Sequence, residues 1–313
     1  MRRLIALAFL LAAPAGAAPV CDAAWHDSAR NRDLPVRIRL PGGTGKVPVV
    51  LFSPGLGGST TGGTLWGAAW ATRGLAVVHL EHPGSDAAVY RTPGTPDERR
   101  ARVRAAASGE QLQARVGDIG FILDELGRRT VEGGCDLTRI DLNRIGIAGH
   151  SMGAWTVQGV AGQRYYGAAP FLDRRIKAAI AFSPSTLTTA ALPESFGGIT
   201  IPFLSITGTL DGAIIRPANA PADLSAEAQR TGPFTGMTGP DKYLLVFKDG
   251  DHKVFSGNLR RVPTATDAHI QAVTAAATTA FWGMTLLGDK RDGAILRSGI
   301  AAQLAPGDRF TAK

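Results

Sequence analysis

The stretch Arg144-Ile145-Gly146-Ile147-Ala148-Gly149-His150-Ser151-Met152-Gly153 decides how this chain is read. A short apolar run ends in Gly-x-Ser-x-Gly, and the small residues from Ala154 to about Gly162 can continue as a helix. Strand, sharp turn and helix in that order are what a nucleophile elbow requires. At such a turn Ser151 takes strained backbone angles, and Gly149 and Gly153 leave room where side chains would collide. The hydroxyl then projects from the C-terminal edge of a sheet, above a helix N-terminus that favours developing negative charge. Alone, the pentapeptide also fits an ordinary capping serine at a glycine-rich turn; the rest of the chain favours the elbow.

Short apolar runs recur on both sides of it. Leu34 to Leu40 reads as an early edge strand, and Val47 to Phe52, Leu75 to Leu80, Ile145 to Ala148, Ile176 to Phe182, Ile201 to Ile206 and Lys242 to Phe247 as core strands. Near-continuous apolar strands suit a parallel sheet covered on both faces. Helical spacing marks Thr64 to Arg73, Glu110 to Leu126 and Ala265 to Leu287 between and after them. The alternation predicts an α/β fold with a mostly parallel central sheet and helices on both faces. The stretch 212–241 breaks the rhythm with Pro217, Pro221, Pro233, Gly236, Gly239 and Pro240, and reads as an irregular cap or loop insert. Phe234 and Met237 could face substrate there or anchor the loop on the core.

A serine hydroxyl needs a base within hydrogen-bond reach and a third group to orient that base. His252 follows the last core strand in a glycine-containing loop, where an imidazole can reach over the sheet edge. His150 neighbours the serine, so its ring should point away from the hydroxyl. His79 lies within a strand and reads as structural. In this class the acid falls between serine and histidine in chain order. Asp211, just past the strand 201–206, ranks first, and Asp249, close to His252, ranks second. The backbone N–H groups of Met152 and of Leu56, in Pro54-Gly55-Leu56-Gly57-Gly58, are the expected oxyanion donors. Trp155 could line an acyl site or pack beneath the elbow.

The N-terminus begins Met1-Arg2-Arg3, continues apolar from Leu4 to Ala13 and reaches Ala15-Gly16-Ala17. That pattern predicts a signal peptide over residues 1–18, followed by one domain over 19–313 in a secreted or periplasmic protein with no stable membrane span. Cys21 and Cys135 could pair in an oxidising compartment or remain two free thiols. The formal charge is +8, of which Arg2 and Arg3 supply two units, and the remainder is too dispersed for a nucleic-acid surface. Scattered histidines offer no metal-ligand spacing, and Gly55 to Gly58 lacks the lysine of a phosphate loop. No cofactor, metal or nucleic-acid partner is expected, and a chain of this size needs no second copy to fold.

Phe52-Ser53-Pro54-Gly55-Leu56-Gly57-Gly58, Glu81-His82-Pro83-Gly84-Ser85, Gly149-His150-Ser151-Met152-Gly153, Gly208-Thr209-Leu210-Asp211 and Gly250-Asp251-His252-Lys253-Val254-Phe255 together resemble a serine α/β-hydrolase. The chain is most similar to the group around dienelactone hydrolase and platelet-activating-factor acetylhydrolase, with cutinases and polyester hydrolases as neighbouring relatives. The resemblance implies a Ser-Asp-His esterase with a backbone oxyanion hole, acting on short or medium acyl esters or lipid-like esters. Two departures stand out. Dienelactone hydrolase uses a cysteine where this chain has Ser151, and Ala154 stands where many relatives have glycine. A peptidase or amidase with the same three residues, and a non-catalytic binding module on the same scaffold, are the alternatives.

Overall fold

The computed structural model describes residues 19–186, 190–212, 225–258 and 264–313. The expected signal peptide lies outside the described residues, and so does 213–224 of the expected insert. In chain order the elements are β1 (Val20–Asp27), β2 (Arg32–Arg39), β3 (Val47–Ser53), α1 (Thr64–Thr72), β4 (Ala76–Leu80), α2 (Ala88–Arg91), α3 (Pro96–Ala106) and α4 (Gly109–Arg128). The short strands β5 (Val131–Glu132) and β6 (Cys135–Asp136) precede β7 (Ile140–His150), α5 (Met152–Ala161), β8 (Ile176–Phe182), α6 (Leu192–Phe196) and β9 (Phe203–Leu210). The chain closes with α7 (Ala226–Gly236), β10 (Lys242–Asp251), α8 (Ala265–Leu286), α9 (Lys290–Ala294) and β11 (Arg309–Ala312).

Nine strands form one sheet in the order β1-β2-β4-β3-β7-β8-β9-β10-β11. The run from β4 to β10 is parallel, as the apolar runs predict, while β1, β2 and β11 pair antiparallel at the two edges. Because both faces of the parallel strands are covered, a large hydrophobic core forms on each side of the sheet. One packs Ile119, Ile122 and Leu123 of α4 and Val157 and Val160 of α5 on the sheet. The other packs Trp66 and Trp70 of α1 against Phe281 and Trp282 of α8. All six parallel strands therefore deliver their C-terminal ends to one rim, where side chains on the turns that follow can meet.

The differences from the sequence reading have local causes. β1 and β11 are edge strands with polar, partly exposed residues, so they lack the continuous apolar signature of the centre. The stretch 212–241 holds the helix α7, capped by the Ser225 side chain on the Ala228 N–H; Pro233 near its end masks an otherwise good helix start. Phe234 packs on Leu244 and Val246, and Met237 joins the main core, so both anchor this stretch.

Cys21 and Cys135 are joined by a disulfide across a sequence separation of 114 residues, with Cα atoms 6.1 Å apart. It ties β1 to the start of β6. Closing so long a loop removes unfolded-state entropy equivalent to about 4–5 kcal/mol. Replacing both cysteines by serine is expected to lower stability by a few kcal/mol, about 2–5, read as a fall in Tm. Turnover per folded molecule should stay unchanged, because the bridge lies at the sheet edge far along the order from β7.

Candidate active site

The turn after β7 has the strain that the elbow demands. Ser151 sits at φ 57° and ψ −116°, a region L-residues rarely occupy. Its N–H donates to the Phe182 carbonyl at 2.9 Å, which anchors the turn to β8. The flanking glycines are steric necessities. A Cβ on Gly153 would stand 1.9 Å from the Ser53 carbonyl oxygen, and one on Gly149 would stand 2.5 Å from the Gly153 carbonyl oxygen. The end of β3 and the start of α5 therefore touch backbone to backbone. Ala154 is buried in α5.

The structure brings Ser151, His252 and Asp211 together. Ser151 Oγ lies 2.9 Å from His252 Nε2, and His252 Nδ1 lies 2.7 Å from Asp211 Oδ1. A carboxylate only accepts, so Nδ1 carries the proton that it donates to Asp211. Nε2 is then free to accept from the serine hydroxyl. Asp211 is fully buried; its second oxygen accepts from Thr207 Oγ1 at 2.7 Å. Burial alone would raise the Asp211 carboxyl, but the His252 hydrogen bond and the Arg230 charge outweigh it and hold the group below the usual range.

Two backbone features aim these side chains. β9 and β10 approach so closely that a Cβ on Gly208 would stand 2.3 Å from the Gly250 carbonyl oxygen. A register shift between Phe247 and Asp251 then bulges β10 and redirects the chain at His252. Asp251 Oδ1 accepts from the Lys253 and Val254 N–H groups, each at 2.9 Å, and shapes the turn that carries the imidazole. Asp249 lies on that bulge, exposed, with its N–H bonded to Thr209 Oγ1, and the carboxylate bonded to His252 Nδ1 is that of Asp211.

His150 points away from the serine hydroxyl, as expected, but it is not idle. Its Nε2 donates to the His252 carbonyl at 2.9 Å, so the residue beside the serine fixes the backbone of the distant imidazole. Burial, with the neighbouring His252, pushes the His150 pKa down to about 3. The expected oxyanion donors also occupy suitable ground. Met152 opens α5, Leu56 lines the cleft, and among the described residues neither N–H has a protein acceptor. A Cβ on Gly55 would stand 3.3 Å from Ser151 Cβ, which places the Leu56 loop against the serine. The cleft over Ser151 has a volume of about 280 Å³ and is bordered by Phe52, Leu56, Thr61, Arg91 and Asn258. Trp155 lies apart from it, beside Leu112 and Tyr165.

Sequence reasoning missed Arg230. Its guanidinium, buried at the end of the sheet, donates from Nη1 to the Ser183 and Pro184 carbonyls and Ser185 Oγ, and from Nη2 to the Gly212 carbonyl. Nε lies 3.2 Å from Asp211 Oδ1 and also reaches the Asp211 carbonyl. One cation on α7 thereby locks the ends of β8 and β9 around the acid. No local pattern announces it, because its six acceptors are scattered along distant segments. Among the described residues no group of three His, Cys, Asp or Glu side chains could hold a metal.

No protein-family model matches the chain, and no curated protein matches it. Among solved structures it resembles a ferulic acid esterase from Streptomyces cinnamoneus, with a TM-score of 0.60 and 23% identity, over 89% of this chain and 93% of that one. The architecture is that of the α/β-hydrolase fold.

Three buried histidines make acid stability a test of this geometry. Burial lowers His79 and His82 to about 4 and His150 to about 3, from an ordinary 6.5. Depressed values mean that the unfolded chain binds protons before the folded one does. Stability is therefore full above about pH 6.5 and falls as pH drops toward the folded values. The buried carboxylates add their loss only below about pH 4. Denaturant unfolding at pH 7, 5.5 and 4.5 should show this decline; a flat profile would contradict neutral buried imidazoles.

Proposed function

We propose that this chain is an exported serine carboxylic ester hydrolase of the dienelactone hydrolase-like and platelet-activating-factor acetylhydrolase-like group. Its substrates are short or medium acyl esters or lipid-like esters. The observation that carries the reading is the unbroken hydrogen-bond chain from Ser151 Oγ through His252 to Asp211, opening on a cleft of about 280 Å³. The similar solved structure, a ferulic acid esterase, agrees with it. Export draws support from the basic and apolar start of the sequence and from the Cys21–Cys135 bridge. Among the described residues no helix is long and apolar enough to cross a membrane.

The reaction proceeds by two acyl transfers. Ser151 Oγ attacks the ester carbonyl while His252 Nε2 takes its proton. Asp211 holds the ring in the required tautomer and stabilises the imidazolium that forms. The carbonyl oxygen becomes an oxyanion, which the Leu56 and Met152 N–H groups receive at the positive end of α5. His252 returns the proton to the leaving alkoxide, then activates water to release the acid from Ser151. The cleft is smaller than most drug-sized sites, which favours a small ester over a folded peptide.

An alkyl phosphonate should label Ser151 covalently, with the adduct located by peptide mass. Ser151→Ala should lose turnover of a short acyl ester by about 10⁴-fold or more while keeping its Tm, and Asp211→Asn by up to about 10⁴-fold. Turnover retained by Ser151→Ala would overturn the assignment. Rates on esters of increasing acyl length, with an amide of the same acyl group beside them, would then define the substrate class.

A further inference from the structure

A second Ser-His-Asp chain lies beneath the site. Ser53 Oγ is 2.9 Å from His82 Nε2, and His82 Nδ1 is 2.9 Å from Asp118 Oδ2. All three side chains are fully buried, so this serine meets no substrate. Asp118 also pairs with Arg30 and Arg32, at 2.8 and 2.9 Å. Burial, reinforced by the Arg115 charge, holds His82 neutral at about 4. Nδ1 therefore donates to the carboxylate, and Nε2 accepts from the Ser53 hydroxyl.

One helical turn before Asp118 on α4 stands Arg115, also fully buried. Its Nη1 donates to the Pro54 carbonyl at 2.8 Å and its Nη2 to the Gly55 carbonyl at 3.3 Å. Its Nε reaches Ser85 Oγ at 2.8 Å, and the Ser85 carbonyl accepts the Gly57 N–H at 2.8 Å. Ser53 ends β3 and directly precedes this loop. In a trans peptide the C=O and the following N–H point in opposite directions, and the described chain has no cis bond. Drawing the Gly55 carbonyl inward onto Arg115 therefore turns the Leu56 N–H outward, toward the cleft. A burial this polar brings little net stability over an apolar core of the same shape. What it supplies is a fixed peptide orientation.

We propose that Ser53, His82, Asp118 and Arg115 form a positioning frame that aims the Leu56 N–H at the oxyanion, and so sets the rate of acyl transfer without touching substrate. The inference rests on the ester hydrolase reading above. Removing a side-chain oxyanion donor outright costs about 10²–10³-fold in kcat elsewhere, so loosening one should cost less.

The test uses the full chain and its Ser53→Ala and Arg115→Gln variants. Its readouts are kcat and KM on a short acyl ester, the Kd of a short alkyl boronic acid that forms a tetrahedral adduct, the Kd of a non-reacting amide of the same acyl group, and Tm. Ser53→Ala should lower kcat roughly tenfold and Arg115→Gln up to about 100-fold, with KM and the amide Kd within twofold. Boronate affinity should weaken by the same factor as kcat/KM. Arg115→Gln can fail to fold; Ser53→Ala removes one hydroxyl and keeps the test decisive. If Ser53→Ala leaves kcat within twofold, or weakens boronate and amide equally, the frame is overturned. If wild-type Ser151 takes no phosphonate, the hydrolase reading falls first, and the two failures are distinguishable.

Discussion

The contact between the Ser53 carbonyl and Gly153 governs the rest of the site. With 1.9 Å between that oxygen and any added Cβ, two backbones meet where side chains ordinarily intervene. This closeness forces the turn at Ser151 into its strained conformation, and brings the loop after β3 beside the helix after β7. The strain at a non-glycine residue costs about 1–3 kcal/mol. It persists because the Phe182 carbonyl, the flanking strands and α5 all constrain the same few residues. The loop that carries Leu56 and the turn that carries Ser151 are thus held side by side by their backbones.

Much of this was legible in the sequence, for identifiable reasons. Central strands such as β3 declare themselves because burial on both faces demands a near-continuous apolar run. Ser151, His252 and Asp211 were legible because each follows such a strand, and parallel strands end at one rim. The edge strands β1 and β11 were not, since a strand exposed on one side carries ordinary polar residues. Helix α7 was hidden by Pro233, whose missing N–H leaves the Gln229 carbonyl to accept from the Thr186 N–H and Oγ1 instead. The hydrogen-bonding roles of Arg230, Arg115 and His82 were illegible for a different reason. A buried polar side chain is justified only by its partners, and those partners come from segments dozens of residues away.

The polar interior follows a consistent division of charge. Buried imidazoles stay neutral and serve as connectors: His150 to the His252 backbone, His82 between Ser53 and Asp118, His79 to the Gly62 carbonyl. Buried guanidinium groups keep their charge and collect carbonyls, Arg115 under the Leu56 loop and Arg230 around Asp211. Desolvation depresses both cations, Arg115 to about 9, still well above neutrality. Each of the two loops around Ser151 therefore has its own buried cation beneath it, placed by a different helix.

The bridge between Cys21 and Cys135 has a consequence for the order in which the molecule can be completed. β1 is the first segment after the expected leader, yet its covalent partner emerges more than a hundred residues later. During synthesis the leading strand must wait, its outer row of amides and carbonyls open to any passing chain. Oxidation ends that interval: once the thiols join, the outermost ribbon can no longer peel away or exchange with a neighbour's.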